Sequence, residues 1–354
     1  MSLKLDFTAL PEFDDHEMVI FAHDQASGLR AFISIHNTNC GPATGGTRYY
    51  AYPSEIEGLR DALRLSRAMT YKCAMAGVPF GGGKGVIVAG TSPKTPKLFR
   101  TYGRFVDRLN GFFSTGEDVG VSGKNVAAMG HTSRHINGLH GAGELGPWAA
   151  RGVFMAMQAA LESEFGTPIL RGRIVAIQGL GKVGLELAKL VARGGGEVIG
   201  TDIDLRASAS ACKALPSLRI VRPKEIYGIR ADVFSPCALG RILNKQTIPR
   251  LRAAIVCGGA NDQLHSTEDG RRLHKSGILY VPDYIANAGG LINVVAELRP
   301  GGYDRKWVTR KVREIGRTAS LILRESARRK KPTKQVADEW AEKIFRTANY
   351  AKLH

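Results

Sequence analysis

The stretch RGRIVAIQGLGKVGLELAKLVARGGGEVIGTDID, Arg171–Asp204, reads as strand, glycine turn, helix and second strand. Val175, Ala176 and Ile177 form the short apolar run of a buried strand, and Val183, Leu187 and Leu190 recur at helical spacing. Between them Gly179, Gly181 and Gly184 make a GxGxxG, and Asp202 ends the second strand 18 residues after Gly184. A bare GxGxxG says little. A strand before it, a helix after it and an acid closing the next strand make it specific for a dinucleotide-binding unit. Gly179 allows the tight turn, Gly181 lets backbone approach a pyrophosphate, and Gly184 lets the helix pack closely on its strand. With Lys182 and Val183 they open a helix whose unpaired N–H groups favour an anion. Asp202 suits the hydroxyls of an adenosine ribose and would repel a 2′-phosphate, so the expected cofactor is NAD. Arg206 nearby leaves NADP open, and an ordinary strand-end acid is the other reading of Asp202.

Later segments repeat one design, an apolar strand ending in small or polar residues. ADVFSPCALG (231–240) carries Cys237 and Ala238, AAIVCGGANDQL (253–264) carries Ala260, and GILYVPDYIANAGGLINV (277–294) carries Asn287. In a doubly wound parallel sheet these tips line the cofactor crevice at the carboxyl ends of the strands.

Upstream, EMVIFAHD and LRAFISIHNT read as paired strands, GPATGGTRYY (41–50) as a glycine-bearing turn, and a helix is expected from about Ser54. That helix carries Lys72, and GGGKG beyond it places Lys84 in an expected glycine loop. A phosphate loop is excluded, because Val78 and Gly85 stand where that motif needs glycine and Ser or Thr. HINGLHGAGELGP, His135–Pro147, is glycine-rich and aperiodic and reads as the crossing between two domains. His131 and His135 are four apart and His140 is close, but no acid completes a zinc-protease arrangement, and no metal site is expected.

The 354 residues exceed one ordinary core. Five cysteines without a CxxC pair argue against a disulfide framework, and no apolar window reaches the length of a membrane span, so a cytoplasmic protein is expected. The net charge is +18, and half of that excess lies from Gly301 onward, densest in ARRKKPTK (327–334). A solvated helical surface is the plain reading. Nucleic-acid binding is the less favoured one, for want of interleaved aromatics, and attraction of anionic ligands is a third.

Taken in order, GPATGG, MTYK, GGGKG, EDVG, GLGKVG, SPCALG, NAGG and a helical tail resemble the glutamate/leucine/phenylalanine/valine dehydrogenase family over nearly the whole chain. The resemblance implies a two-domain α/β enzyme with an interdomain cleft. Its substrate and oligomerisation domain would be 1–146 with a tail from 327–354 packed back on it, and its Rossmann domain 147–326. It implies oxidative deamination of an L-amino acid to a 2-oxo acid and ammonia with NAD, and a homo-oligomer. It also assigns roles. Lys84 is the catalytic lysine, Asp118 the acid handling the amine proton, and Lys72 the grip on the substrate carboxylate. Gly46 and Asn261 lie near the substrate, and Cys40, Gly116, Leu291 and Val294 line the side-chain pocket. Burial beside a second ammonium is the expected means of making Lys84 a base.

The chain departs from the family pattern at Val121 and Ser122 after EDVG, at Ala149, at Lys182 and at Asp262. Gly116 with Leu291 matches the phenylalanine-type pairing, so an aromatic or bulky apolar substrate is expected, phenylalanine first. Leucine or valine oxidation, a biosynthetic family member with an unusual oxo acid, and a basic binding protein without catalysis are the alternatives.

Overall fold

The computed structural model describes residues 6–90 and 93–349. Two compact units divide the chain. One comprises the residues up to Gly143 with Val294–Tyr303 and those from Ala341, the other Glu144–Asn293 with Asp304–Trp340.

The first unit contains β1 (Met18–Asp24), β2 (Leu29–Asn37), β3 (Ala43–Thr44), β4 (Thr47–Tyr50), α1 (Glu55–Ala76), β5 (Gly81–Val88), α2 (Pro96–Arg108), β6 (Phe113–Ser114) and α3 (Gly123–Gly130). β1 and β2 form the expected antiparallel pair. The sheet runs β1-β2-β5-β3-β6, with β4 also on β5. GPATGGTRYY is therefore not only a turn: its two ends are the short strands β3 and β4, which pair in succession along one edge of β5. Helix α1 starts where expected, because the Ser54 hydroxyl accepts the Glu57 N–H and acids fill the first turn. It ends at Gly77, whose φ of 61° is left-handed.

GGGKG is the central strand rather than a loop. Its glycines are there because both faces are occupied by neighbours at van der Waals range. A Cβ on Gly82 would lie 2.2 Å from the Thr70 backbone nitrogen of α1, one on Gly83 2.6 Å from the Phe113 ring, and one on Gly85 2.1 Å from the Tyr102 hydroxyl. Alternation puts residues 82, 84 and 86 on the α1 side, where Val86 packs with Phe32, Leu59, Ala62 and Leu63. The opposite face is closed by Phe99, Tyr102, Val106, Phe113, Val126 and Met129.

Polar groups also lie between β2 and α1. Ser34, the register partner of Lys84, bonds Ser66 at 2.9 Å. His16 reaches the Leu63 carbonyl at 2.9 Å, His36 reaches Thr70 at 2.8 Å, and the two imidazoles meet edge to face. Asp14 lies 3.5 Å from His36, and Phe345 of the chain's last helix covers its ring. Burial and the His16 ring lower the His36 pKa to about 4, against the opposing pull of Asp14.

The returning segment Val294–Tyr303 is tied down by one carboxylate. Glu297 accepts the backbone N–H groups of Gly138 at 2.7 Å, His140 at 3.0 Å and Ala142 at 2.7 Å. Gly138 and Gly141, with φ of 87° and 114°, supply the backbone shape that aims these donors at one point.

The second unit and its flanks contain α4 (Gly146–Phe165), β7 (Ile174–Gln178), α5 (Lys182–Arg193), β8 (Glu197–Thr201), α6 (Leu205–Ala214), β9 (Arg219–Ile220), β10 (Arg230–Pro236), β11 (Arg252–Val256), α7 (Thr267–Lys275), β12 (Leu279–Tyr280), α8 (Asp283–Ala286), α9 (Gly289–Val295), α10 (Arg305–Arg329) and α11 (Thr333–Thr347). Its sheet runs β12-β11-β10-β7-β8-β9, and every pairing is parallel. The order reverses between β7 and β10, which makes that point the topological switch of a doubly wound fold.

Sequence reading returns the tail to the first domain at 327, whereas residues 327–340 belong to the second unit. The cause is packing within the second unit: α10 buries Val308, Val312, Ile315, Ile322 and Leu323 and packs on α4, Thr333 donates to the Tyr280 carbonyl, and Tyr284 donates to Asp338. Among the described residues no helix is long and apolar enough to cross a membrane.

Two measurements check this packing. Gly82→Ala forces a methyl onto the α1 backbone and is expected to cost about 1–3 kcal/mol in denaturant unfolding. Unfolded His36 takes up a proton near pH 6.5 and the folded residue only near 4, so the unfolded chain binds more protons in that window. Stability should therefore fall, by on the order of 1–3 kcal/mol, as pH drops from 6.5 toward 4. His36→Gln should flatten that slope.

Candidate active site

In the first unit the structure brings Lys84 and Asp118 together. Lys84 is 4 % exposed, and its ammonium pairs with Asp118 Oδ2. The other carboxylate oxygen of Asp118 accepts from Arg48 Nε at 3.3 Å and from the Val119 N–H at 2.6 Å. Burial alone would push the Asp118 carboxyl up. The Lys84 and Arg48 charges outweigh it and hold the group far below the usual carboxylate range. The immediate partner of Lys84 is thus a carboxylate, where sequence reading expected a second ammonium.

Gly46 explains how the Asp118 loop comes so near the sheet. A Cβ there would lie 2.3 Å from the Glu117 carbonyl oxygen and 3.0 Å from Asp118 Cβ. Lys72 is half-buried on α1, three residues after Met69, whose side chain touches the position a Gly45 Cβ would take. Residues three apart share a helical strip, so Lys72 lies on the strip that meets the Gly45–Gly46 segment.

The pocket residues are less uniform. Cys40 is half-buried, and burial raises its thiol pKa. A methyl on Gly116 would point at the Asn137 carbonyl oxygen, 2.9 Å away, so glycine here relieves a backbone contact whatever the substrate. Leu291 and Val294 are half-buried, three residues apart on α9.

In the second unit the cofactor-type residues converge at the carboxyl ends of β7, β10 and β11. Gly179 has a φ of 94°, and a Cβ on it would lie 2.7 Å from Ala238. One on Gly184 would overlap the Gly179 carbonyl oxygen at 1.8 Å, whereas one on Gly181 would meet nothing within 4 Å. Helix α5 begins with Lys182 and Val183 behind Gly181, with no side-chain cap on its N–H groups. An open space in front of uncapped donors fits a pyrophosphate. Cys237 follows β10 and donates its N–H to the Gln178 carbonyl at 2.7 Å, and Ala260 donates to the Pro236 carbonyl at 2.9 Å. The Asn287 amide donates to Asn261 Oδ1 at 2.8 Å, which ties α8 to the end of β11. Asp202 accepts the Leu180 N–H at 2.7 Å and the Asp204 N–H at 2.9 Å, fixing it beside the glycine turn.

The departures from family pattern have local explanations. Val121 belongs to the first unit's core, and Ser122 forms a capping box with Asn125 at the start of α3. Ala149 is buried on α4, and the Asp262 N–H bonds Asp283 at 2.6 Å. His135 lies over the Gly111 turn, while His131 and His140 are exposed. Sequence reading missed Arg48, Asp61 and Glu297. Arg48 stands inside the GGTR block, but its partners are remote in the chain.

Two family models match, "Glu/Leu/Phe/Val dehydrogenase, dimerisation domain" over residues 16–135 and "Glutamate/Leucine/Phenylalanine/Valine dehydrogenase" over 203–339. The chain is 41 % identical to leucine dehydrogenase of Geobacillus stearothermophilus, across 96 % of this chain and 93 % of that one. It is 43 % identical to phenylalanine dehydrogenase of Lysinibacillus sphaericus, across 88 % and 84 %. The crystal structure of L-tryptophan dehydrogenase from Nostoc punctiforme superposes with a TM-score of 0.83 at 40 % identity, covering 94 % of this chain and 97 % of that one. With this fold, these blocks and these relatives, the chain belongs to the glutamate/leucine/phenylalanine/valine dehydrogenase family and is an oxidoreductase acting on the CH–NH2 group of amino acids with a nicotinamide dinucleotide.

Proposed function

We propose that the protein catalyses NAD-dependent deamination of an apolar, aromatic L-amino acid, with phenylalanine first, and the reverse reductive amination. The observation that carries this reading is the buried Lys84–Asp118 pair beside the helix that bears Lys72. Lys72 binds the substrate carboxylate as a point charge and so orients Cα. Asp118, held ionised, takes a proton from the substrate ammonium, which frees the nitrogen lone pair to expel hydride. NAD supplies the acceptor for that hydride. Water then adds to the resulting iminium carbon and the Lys84 amine takes one of its protons; Asp118 returns a proton to the nitrogen, and as ammonia leaves the carbinolamine hydroxyl gives its proton to the freed Asp118 carboxylate, forming the 2-oxo acid. Gly46 keeps the Asp118 loop close, and Asn261, braced by Asn287, is assigned to the amino group by the family resemblance.

For the cofactor, Gly179, Gly181, Lys182, Val183 and Gly184 would hold the pyrophosphate, and Cys237, Ala238, Ala260 and Asn287 would complete the site. Asp202 accepts ribose hydroxyls and disfavours a 2′-phosphate. Small Cys40 and Gly116 together with Leu291 and Val294, the residue types of the phenylalanine-type pattern, support an aromatic side chain, as do the phenylalanine and tryptophan dehydrogenase relatives. Leucine remains the second reading, since the Gly116–Asn137 contact accounts for that glycine without reference to the substrate. The first unit is the surface through which copies of the chain assemble, in line with the family description of residues 16–135.

A panel of L-amino acids with NAD and with NADP tests the reading. Phenylalanine or tryptophan with NAD should give the highest kcat/KM, and a clear lead for leucine or valine would reverse the substrate assignment. Lys84→Ala and Asp118→Asn should each lower kcat by about 10²–10⁴ while circular dichroism stays unchanged. Normal turnover by either variant would remove it from the mechanism. Asp202→Ala should raise the KM for NAD and lower that for NADP.

A further inference from the structure

Asp118 is gripped from two sides, and only one of them is accounted for by the chemistry. Lys84 takes Oδ2, and Arg48 takes Oδ1. Arg48 stands on β4 opposite Val86, two residues along from Lys84 on the neighbouring strand and on the same face of the sheet. Its guanidinium is divided between two carboxylates, Nε to Asp118 at 3.3 Å and Nη1 to Asp61 of α1 at 2.8 Å. Asp61 is itself held by Arg64 at 2.6 Å and by the Tyr52 hydroxyl at 2.5 Å. Glu117, the residue before Asp118, brings its carboxylate within 3.3 Å of where a Gly123 Cβ would stand. The planar fork of arginine can serve both carboxylates at once, which a lysine ammonium cannot do with the same geometry.

We propose that Arg48 is a positioning residue for the reaction: by holding the carboxylate oxygen of Asp118 that Lys84 does not take, it sets the pH at which the Lys84–Asp118 pair gives up a proton. The proposal rests on the roles assigned to Lys84 and Asp118 above. The electrostatic sign is definite. The pair is neutral with its proton and carries one negative charge without it, so a guanidinium alongside favours proton loss, and Asp61 behind it opposes that effect. Restraining Oδ1 also leaves Oδ2 as the oxygen that exchanges protons with substrate nitrogen.

The test is the pH profile of kcat/KM on the full-length protein, with NAD and the L-amino acid that the panel shows to be turned over best. In Arg48→Gln the acid limb should move up by about one pH unit. In Arg48→Lys it should return most of the way to wild type, because the charge is kept. Asp61→Asn should move the limb the other way, to lower pH, although it leaves every residue touching Asp118 in place. A purely structural Arg48 would lower turnover by one factor at all pH values and move neither limb, and that result overturns the proposal. If Arg48→Gln does not fold, Asp61→Asn decides alone, and an unmoved or raised limb counts against the proposal. Inactive Lys84→Ala and Asp118→Asn combined with unmoved limbs would sink only the Arg48 role. Active Lys84→Ala or Asp118→Asn would sink both readings.

Discussion

A strand that is half glycine is the constraint on which the first unit depends. β5 is hydrogen-bonded along both edges, and its glycines let α1 rest on the backbone on one face while Phe113 and Tyr102 press on the other. At ordinary side-chain size the helix would stand farther off, and the strip carrying Lys72 would move away with it. Lys84 is the one polar side chain of that strand, and close packing removes it from bulk water. The bareness of the sequence around Lys84 is therefore a matter of layer spacing.

Removing a charge from water is costly unless partners replace the lost solvation. Here they come in a connected series: Lys84 on Asp118, Asp118 on Arg48, Arg48 on Asp61, Asp61 on Arg64 and Tyr52. Its inner end is a lysine that is almost fully covered, and its outer end an arginine, Arg64, that is about one-third open. The innermost ion is therefore stabilised by a chain of contacts reaching back to solvent. The second unit meets its anion differently, with backbone N–H groups at an uncapped helix start and space kept open by Gly181.

What could be read in the sequence was what is local. The strand–turn–helix–strand of residues 171–204 carries both periodicities and its turn chemistry within one window, and the structure reproduces it element by element. The β1–β2 pair and the Ser54 start of α1 were legible for the same reason. GGGKG was not legible as a strand, because glycines have no side chains to alternate and the period-2 signal is missing. Arg48 lies 70 residues from Asp118, and the two meet because β4 bonds the segment that carries Asp118, the Thr47 N–H to the Gly116 carbonyl at 2.9 Å and the Tyr49 N–H to the Val119 carbonyl at 3.0 Å. The tail was misjudged at 327 because α10 and the start of α11 have the same basic, amphipathic look throughout, and their bonds to Tyr280 and Tyr284 are long-range. Gly116 shows a further limit: a residue type matched to a substrate pattern also answers to a carbonyl oxygen that sequence does not reveal.

The segment Gly138–Gly143 contains three glycines and by composition would be the loosest tether in the chain. Glu297 makes it a clasp instead, since one carboxylate occupies three of its amide groups. Swinging that one carboxylate out would strand all three donors together. The glycines there supply shape rather than slack. Two stretches of chain more than 150 residues apart are in effect spliced, so a disturbance in either arrives at the other without passing through the sheet.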